Sequence, residues 1–162
     1  MQNYEAKKPS YFATPSPQLI RALHTALTQI LAKPLSDRFL LHKIASDRIK
    51  KAVSDLGLKQ VAVNPEEQAH GMTAIYLPET VKQADILPNL AKKGVVFAGG
   101  IHKEIAAKYI RFGHMGVSVV GIPQRLMITS LTFCQLDPSR GDIDRAIKAL
   151  QDGLAECGYQ KA

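Results

Sequence analysis

Arg111 stands between two apolar neighbours, Ile110 and Phe112, in the stretch AGGIHKEIAAKYIRFGHMG that spans residues 98–116. A guanidinium among apolar side chains is stable only when an anion or an acceptor meets it. Its planar fork of N–H groups fits a carboxylate through two parallel hydrogen bonds, a geometry lysine cannot reproduce. Two outcomes are open: Arg111 receives a small carboxylate ligand, or it closes a structural ion pair with an acid elsewhere in the fold. Tyr11 and Thr14, just ahead of a helix start, carry a phenol and a hydroxyl that could donate to a phosphate. The same two residues would also suit a tyrosine packed on the helix and a threonine acting as local cap.

Other candidates carry less chemistry. Gly99-Gly100 suits a strand-ending turn or a close approach of backbone to a ligand. It is not a dinucleotide fingerprint, because the third glycine and the following helix are missing. His102 and His114 bracket the intervening loop, but neither has a second histidine at i+4 or a nearby cysteine, so no metal site is expected. There is no GxSxG and no arguable Ser–His–Asp order. Cys134 and Cys157 lack CxxC spacing and read as free thiols in a reducing compartment.

The elements that must position these residues follow from periodicity. Residues 1–15 have no helical period and no signal-peptide core, and read as an extended arm or loop. Ser16-Pro17 starts a helix with Leu19, Ile20, Leu23, Leu27 and Leu31 on one face. A second helix starts near Ser36, carries Phe39, Leu40, Ile44, Ile49, Val53 and Leu56 on one face, and ends at Gly57. Strands are expected at residues 58–63, 72–77, 95–98 and 108–113. Asp85 is the expected cap of a short helix ending at Gly94, with Pro88 in its first turn, and Asp142 the cap of a last helix. The order predicts an α+β fold: a small sheet covered on one face by helices and preceded by a helical pair.

Apolar residues make up 46% of 162 and charged residues 22%, enough for one real core. No apolar run is long enough to span a bilayer. The net charge of +7 points to anionic partners, but Lys7-Lys8, Lys50-Lys51 and Lys92-Lys93 are scattered pairs, which suits a solvated surface better than a nucleic-acid footprint.

Three stretches together resemble a known family: NYEAKKPSYFATPSPQLI, AHGMTAIYLPE and GVVFAGGIHKEIAAKYIRFGHMG. Their order, spacing and residue types are similar to the C-terminal part of class V pyridoxal-phosphate aminotransferases, nearest the fungal alanine–glyoxylate (serine–pyruvate) type. The resemblance covers most of residues 1–118 and resumes near Arg140. It implies that Arg111 grips the carboxylate of an amino acid or oxo acid. It implies that Tyr11 and Thr14 reach the phosphate of pyridoxal 5'-phosphate in the other subunit of a homodimer. It also implies a small domain over residues 16–162, working with a large domain that holds the Schiff-base lysine and the Asp pairing the pyridine nitrogen. None of the lysines here matches that cofactor lysine, so this chain is expected not to transaminate by itself. The implied reaction moves an amino group from alanine or serine to glyoxylate. The amino donor stays open, and so does the choice among peroxisome, mitochondrion and cytosol, since Gln160-Lys161-Ala162 is not a peroxisomal address.

One segment departs from the family pattern. Residues 120–136, VGIPQRLMITSLTFCQL, are apolar and β-prone with no helical cap. They read as sequence foreign to the fold, such as a translated intron, or as an extra edge strand. Two other readings of the whole chain stand beside the resemblance. One is a basic α+β nucleic-acid-binding module, against which the strands lack the RNP aromatics and no GxxG clamp is present. The other is a catalytically silent partner subunit that dimerises through exposed faces. Deleting residues 120–136 is expected to leave the melting temperature unchanged; a sharp drop would make the segment part of the core.

Overall fold

The computed structural model describes residues 2–11, 13–116, 119 and 141–160. Residues 120–136 and Cys134 therefore lie outside the described residues. The chain falls into two compact units, Met1–Asp37 and Arg38–Ala162.

The first unit holds two helices. The expected extended arm contains one short helix, α1 (Gln2–Glu5), closed by Lys7 at φ 51°. Its bonds are local, Ala6 N to Gln2 O at 3.0 Å and Lys8 N to Asn3 O at 2.8 Å, and a single turn is too short to show a period in sequence. Helix α2 (Pro17–Leu31) starts as its sequence suggests, with Ser16 Oγ accepting from Leu19 N and Pro17 at the first helical position. None of its residues is buried, and Leu19, Ile20, Leu23, Leu27 and Leu31 form an open apolar stripe.

Helix α3 (Leu35–Asp55) runs from the end of the first unit into the second. Only its C-terminal half buries its apolar face, through Ala45, Ile49 and Val53; Phe39, Leu40 and Ile44 are exposed. It ends in a Schellman motif. Gly57 sits at φ 73°, and Leu58 N reaches back to Val53 O at 3.1 Å.

The sheet has three antiparallel strands in the order β1 (Met72–Tyr76), β3 (Tyr109–Gly113), β2 (Ala98–Gly99). Two expected strands are mostly not strands. Residues 58–63 make only an isolated bridge, Gln60 to Ile75, flanked by Val61 N to Ala74 O at 3.0 Å and Tyr76 N to Lys59 O at 2.8 Å. Residues 95–97 bury Val95 and Phe97 without joining the ladder. Apolar packing gave both segments a strand-like pattern, and packing does not require backbone pairing.

Helix α4 (Gln83–Lys92) begins two residues before Asp85, so Asp85 is not its cap. Its carboxylate lies in the first turn, where it faces the positive end of the helix. The earlier start also puts Pro88 inside the helix, where the proline supplies no N–H to the Ala84 carbonyl. Helix α5 (Asp142–Glu156) is likewise capped by Gly141, at φ 68°, and not by Asp142, which is buried and pairs with Arg145 at 2.6 Å.

Register separates the two faces of the sheet, because directly opposed residues share a face. Thr73 opposes Phe112 and Ile75 opposes Ile110; all four are buried. They share one core with Ile49 and Val53 of α3, Ile86 and Leu90 of α4, and Ile143, Ala146, Leu150 and Leu154 of α5. Gly153 lets α4 and α5 approach, since a Cβ there would lie 3.3 Å from Leu90 Cδ2. This is the expected α+β layer with helices on one face. The other face carries Met72, Ala74, Tyr76, Tyr109, Arg111 and Gly113. Among the described residues no helix is long and apolar enough to cross a membrane.

Burial sets the energetic contrast between the units. Ile110→Ala is expected to destabilise the chain by about 2–5 kcal/mol, and Leu23→Ala by no more than about 0.5 kcal/mol. Urea denaturation midpoints check this; equal shifts would contradict it.

Candidate functional site

Arg111 lies in the middle of the central strand, on the face away from the helices. Its cross-strand neighbours are Ala74 on β1 and Ala98 on β2. Two short side chains leave the guanidinium room to lie across the sheet, half-buried. Its Nε–H donates to the Gly99 carbonyl at 2.7 Å. Among the described residues the ion pairs join other partners, such as Lys43 with Asp47 and Lys93 with Glu156, and Arg111 is in none of them. With Nε engaged, the fork that remains is the end-on pair, Nη1 and Nη2. That pair matches the two oxygens of a carboxylate.

The loop between β2 and β3 is tied down around Arg111. Tyr109, two residues before Arg111 and on the same face, turns its phenol oxygen to the start of this loop. It accepts from Ile101 N at 2.9 Å and His102 N at 3.2 Å. These two donors, helped by the nearby Arg111 charge, pull the Tyr109 phenol below its usual range. Gln83, from the first turn of α4, donates through Nε2 to Ala106 O at 2.8 Å and Tyr109 O at 2.9 Å. Gly100 is required here: a Cβ would run into Ala106 O and lie 2.6 Å from the edge of the Tyr109 ring.

Tyr11 and Thr14 occupy the first unit and are brought together. Their hydroxyls hydrogen-bond to each other, and both residues are exposed, Tyr11 to 80%. Neither alternative role from the sequence is seen. Tyr11 is not packed away, and the cap of α2 is Ser16. Two adjacent, exposed hydroxyls can both turn to one anion, which is the chemistry a phosphate requires.

Two histidines, His42 and His114, are tied into the fold by side-chain hydrogen bonds. His102 is exposed in the loop and contributes a backbone N–H. His114 is buried, with Nε2 2.8 Å from Thr73 Oγ1 and the imidazole edge-on to Phe112. His42 on α3 lies 2.7 Å from Arg38 O through Nδ1 and accepts from Gly116 N at 2.9 Å through Nε2, a tie between α3 and the end of β3. Among the described residues no three His, Cys, Asp or Glu side chains group as metal ligands.

Sequence reasoning missed Gln83, Ala74, Ala98 and Tyr109. Tyr109 carried a usable signal, since a residue two before Arg111 in a strand shares its face. The alanines are set by strand register and Gln83 by the docking of α4, neither of which leaves a local pattern.

No protein-family model matches the chain. It is 48% identical over 120 residues to alanine–glyoxylate aminotransferase 1 of Saccharomyces cerevisiae, a match covering 73% of this chain and 30% of the yeast protein. It is 31% identical over 105 residues to serine–glyoxylate aminotransferase of Hyphomicrobium methylovorum, covering 64% of this chain and 26% of that protein. Among solved structures, pyridoxamine–pyruvate aminotransferase from Mesorhizobium loti superposes with a TM-score of 0.75 at 22% identity, over 99% of this chain and 36% of that one. The chain thus spans under a third of the curated relatives it matches.

Burial of His114 beside Thr73, with the charge of Lys50 nearby, pushes its pKa down to about 4 from 6.5. Between those values the unfolded chain binds a proton that the folded chain does not. Stability therefore rises with pH across this window and is lost as pH falls from 6.5 toward 4. Melting curves over that range are expected to be flatter for His114→Gln than for the native chain; equal slopes would exclude His114 as the source.

Proposed function

The chain belongs to the class V aminotransferases, and on that premise we propose that it is the C-terminal part of an alanine–glyoxylate-type enzyme, carrying the anchor for the substrate carboxylate. The observation behind this reading is Arg111. Its Nε is held by Gly99 O, its end-on pair has no acidic partner among the described residues, and its cross-strand neighbours are alanines. Alanine or serine and glyoxylate share only the α-carboxylate and the carbon bearing the exchanged group. A single arginine can therefore serve both halves of a transamination. The two curated relatives are named for different amino donors, alanine and serine, and for the same acceptor, glyoxylate. A carboxylate anchor accounts for the shared part of those names. We propose glyoxylate as acceptor, with alanine or serine as donor.

The family's cofactor is pyridoxal 5'-phosphate, and the residues present fit part of it. The paired hydroxyls of Tyr11 and Thr14 would hold its phosphate, in the partner subunit of a homodimer. When bound, the cofactor supplies an electron sink at the substrate's α-carbon. On this reading Arg111 orients the substrate by its carboxylate, and its charge is matched to that anion in a half-buried place where the match is strong. The Schiff-base lysine belongs to the large domain of the family.

Two measurements on the full chain test the proposal. Glyoxylate titrated by NMR should bind to the native chain, and Arg111→Gln should weaken binding about tenfold or more, as loss of charged hydrogen bonds requires. Incubation with pyridoxal 5'-phosphate followed by borohydride should leave no stoichiometric pyridoxyl-lysine by mass spectrometry. Unchanged glyoxylate binding in Arg111→Gln, or a single fully labelled lysine with catalytic turnover, would overturn it.

A further inference from the structure

We propose that Gln83 and Tyr109 are positioning residues for the Arg111 anchor: they fix the loop that begins at Gly99, so that its carbonyl takes the Arg111 Nε–H and aims the Nη pair outward. This rests on the reading of Arg111 as the carboxylate anchor.

The geometry is a closed circuit. β2 ends at Gly99, the acceptor for Nε, and the chain then leaves the sheet. At Ile101 and His102 the backbone N–H groups are captured by the Tyr109 phenol oxygen. The loop closes on itself through Ile105 N to His102 O at 3.1 Å and Lys108 N to Ile105 O at 2.8 Å. Gln83 then clamps the return, holding the carbonyls of Ala106 and Tyr109 with one amide nitrogen. It also borders the departure point, since a Cβ on Gly99 would lie 2.9 Å from Gln83 Oε1. Tyr109 therefore appears twice, its carbonyl bound by Gln83 and its hydroxyl by the far side of the loop. Its α-carbon sits two residues from Arg111 on the same strand.

A two-residue strand cannot fix the Gly99 carbonyl by itself, because β2 contributes only the pairs Ala98 with Arg111 and Gly99 with Ile110. Ile101, His102, Lys103 and Glu104 are exposed, so packing does not hold the loop either. The polar side chains that do hold it are half-buried Gln83 and buried Tyr109. The two N–H groups donating to that oxygen hold the Tyr109 phenol below its usual range.

Arginine side-chain NMR on the full 15N-labelled chain tests this, with glyoxylate as probe. The Arg111 Nε–H signal is assigned by its loss in Arg111→Lys. Tyr109→Phe removes the hydroxyl and keeps the ring; Gln83→Met removes the amide and keeps the length. In either variant, well below its melting temperature, the Nε–H should exchange with water about tenfold faster and glyoxylate affinity should fall about tenfold. A merely structural role would lower the melting temperature without moving the Nε–H exchange of the folded state, and that result in a folded variant overturns the proposal. If Arg111→Lys abolishes the glyoxylate response while both other variants bind as the native chain does, positioning fails and the anchor stands. If Arg111→Lys binds glyoxylate unchanged, the anchor reading fails, and the positioning role with it.

Discussion

The hydrogen bond from Arg111 Nε to the Gly99 carbonyl is the constraint on which the site depends. A guanidinium has five donors and two ways to present a parallel pair of them, side-on through Nε and one Nη or end-on through both Nη. Fixing Nε removes the side-on pair and leaves the end-on one. The bond also couples two neighbouring strands through a side chain, since Gly99 ends β2 and Arg111 lies on β3. The rest of the second unit can be read outward from there. The central strand is rigid because Ile110 and Phe112 are buried against three helices, and the small residues Ala74 and Ala98 keep the opposite face clear.

The site divides labour between the two faces of one strand. Residues 110, 112 and 114 point to the core, where Phe97 and Phe112 meet with ring centroids 4.5 Å apart. Residues 109 and 111 point away from it, where Tyr76 and Tyr109 meet edge to face at 6.5 Å. The alternation of a strand thus supplies stability and chemistry from adjacent residues. Stability comes from the apolar set, and on the proposed reading specificity comes from two polar residues that would be poor choices for a core.

Much of this was legible in the sequence, and the parts that were not share a cause. The start of α2 at Ser16-Pro17, the glycine-ended α3 and the strand around Arg111 follow from local rules of capping and alternation, and the structure agrees. The two acidic caps were misread because Asp85 and Asp142 satisfy the local rule while the backbone begins elsewhere, at Lys82 and Gly141. Residues 58–63 and 95–97 look like strands because they are apolar, yet pairing depends on partners far along the chain. Arg111 was visible as an anomaly, a charge between apolar neighbours. Gln83, which reaches the Arg111 loop from another element, gave no local sign.

A crystal structure of the chain grown with glyoxylate tests the central claim most directly. Nε of Arg111 should stay on Gly99 O, with Nη1 and Nη2 each bonded to one oxygen of the same carboxylate. A guanidinium swung onto an Asp or Glu of the chain itself, with Gly99 O released and no carboxylate bound, would contradict it.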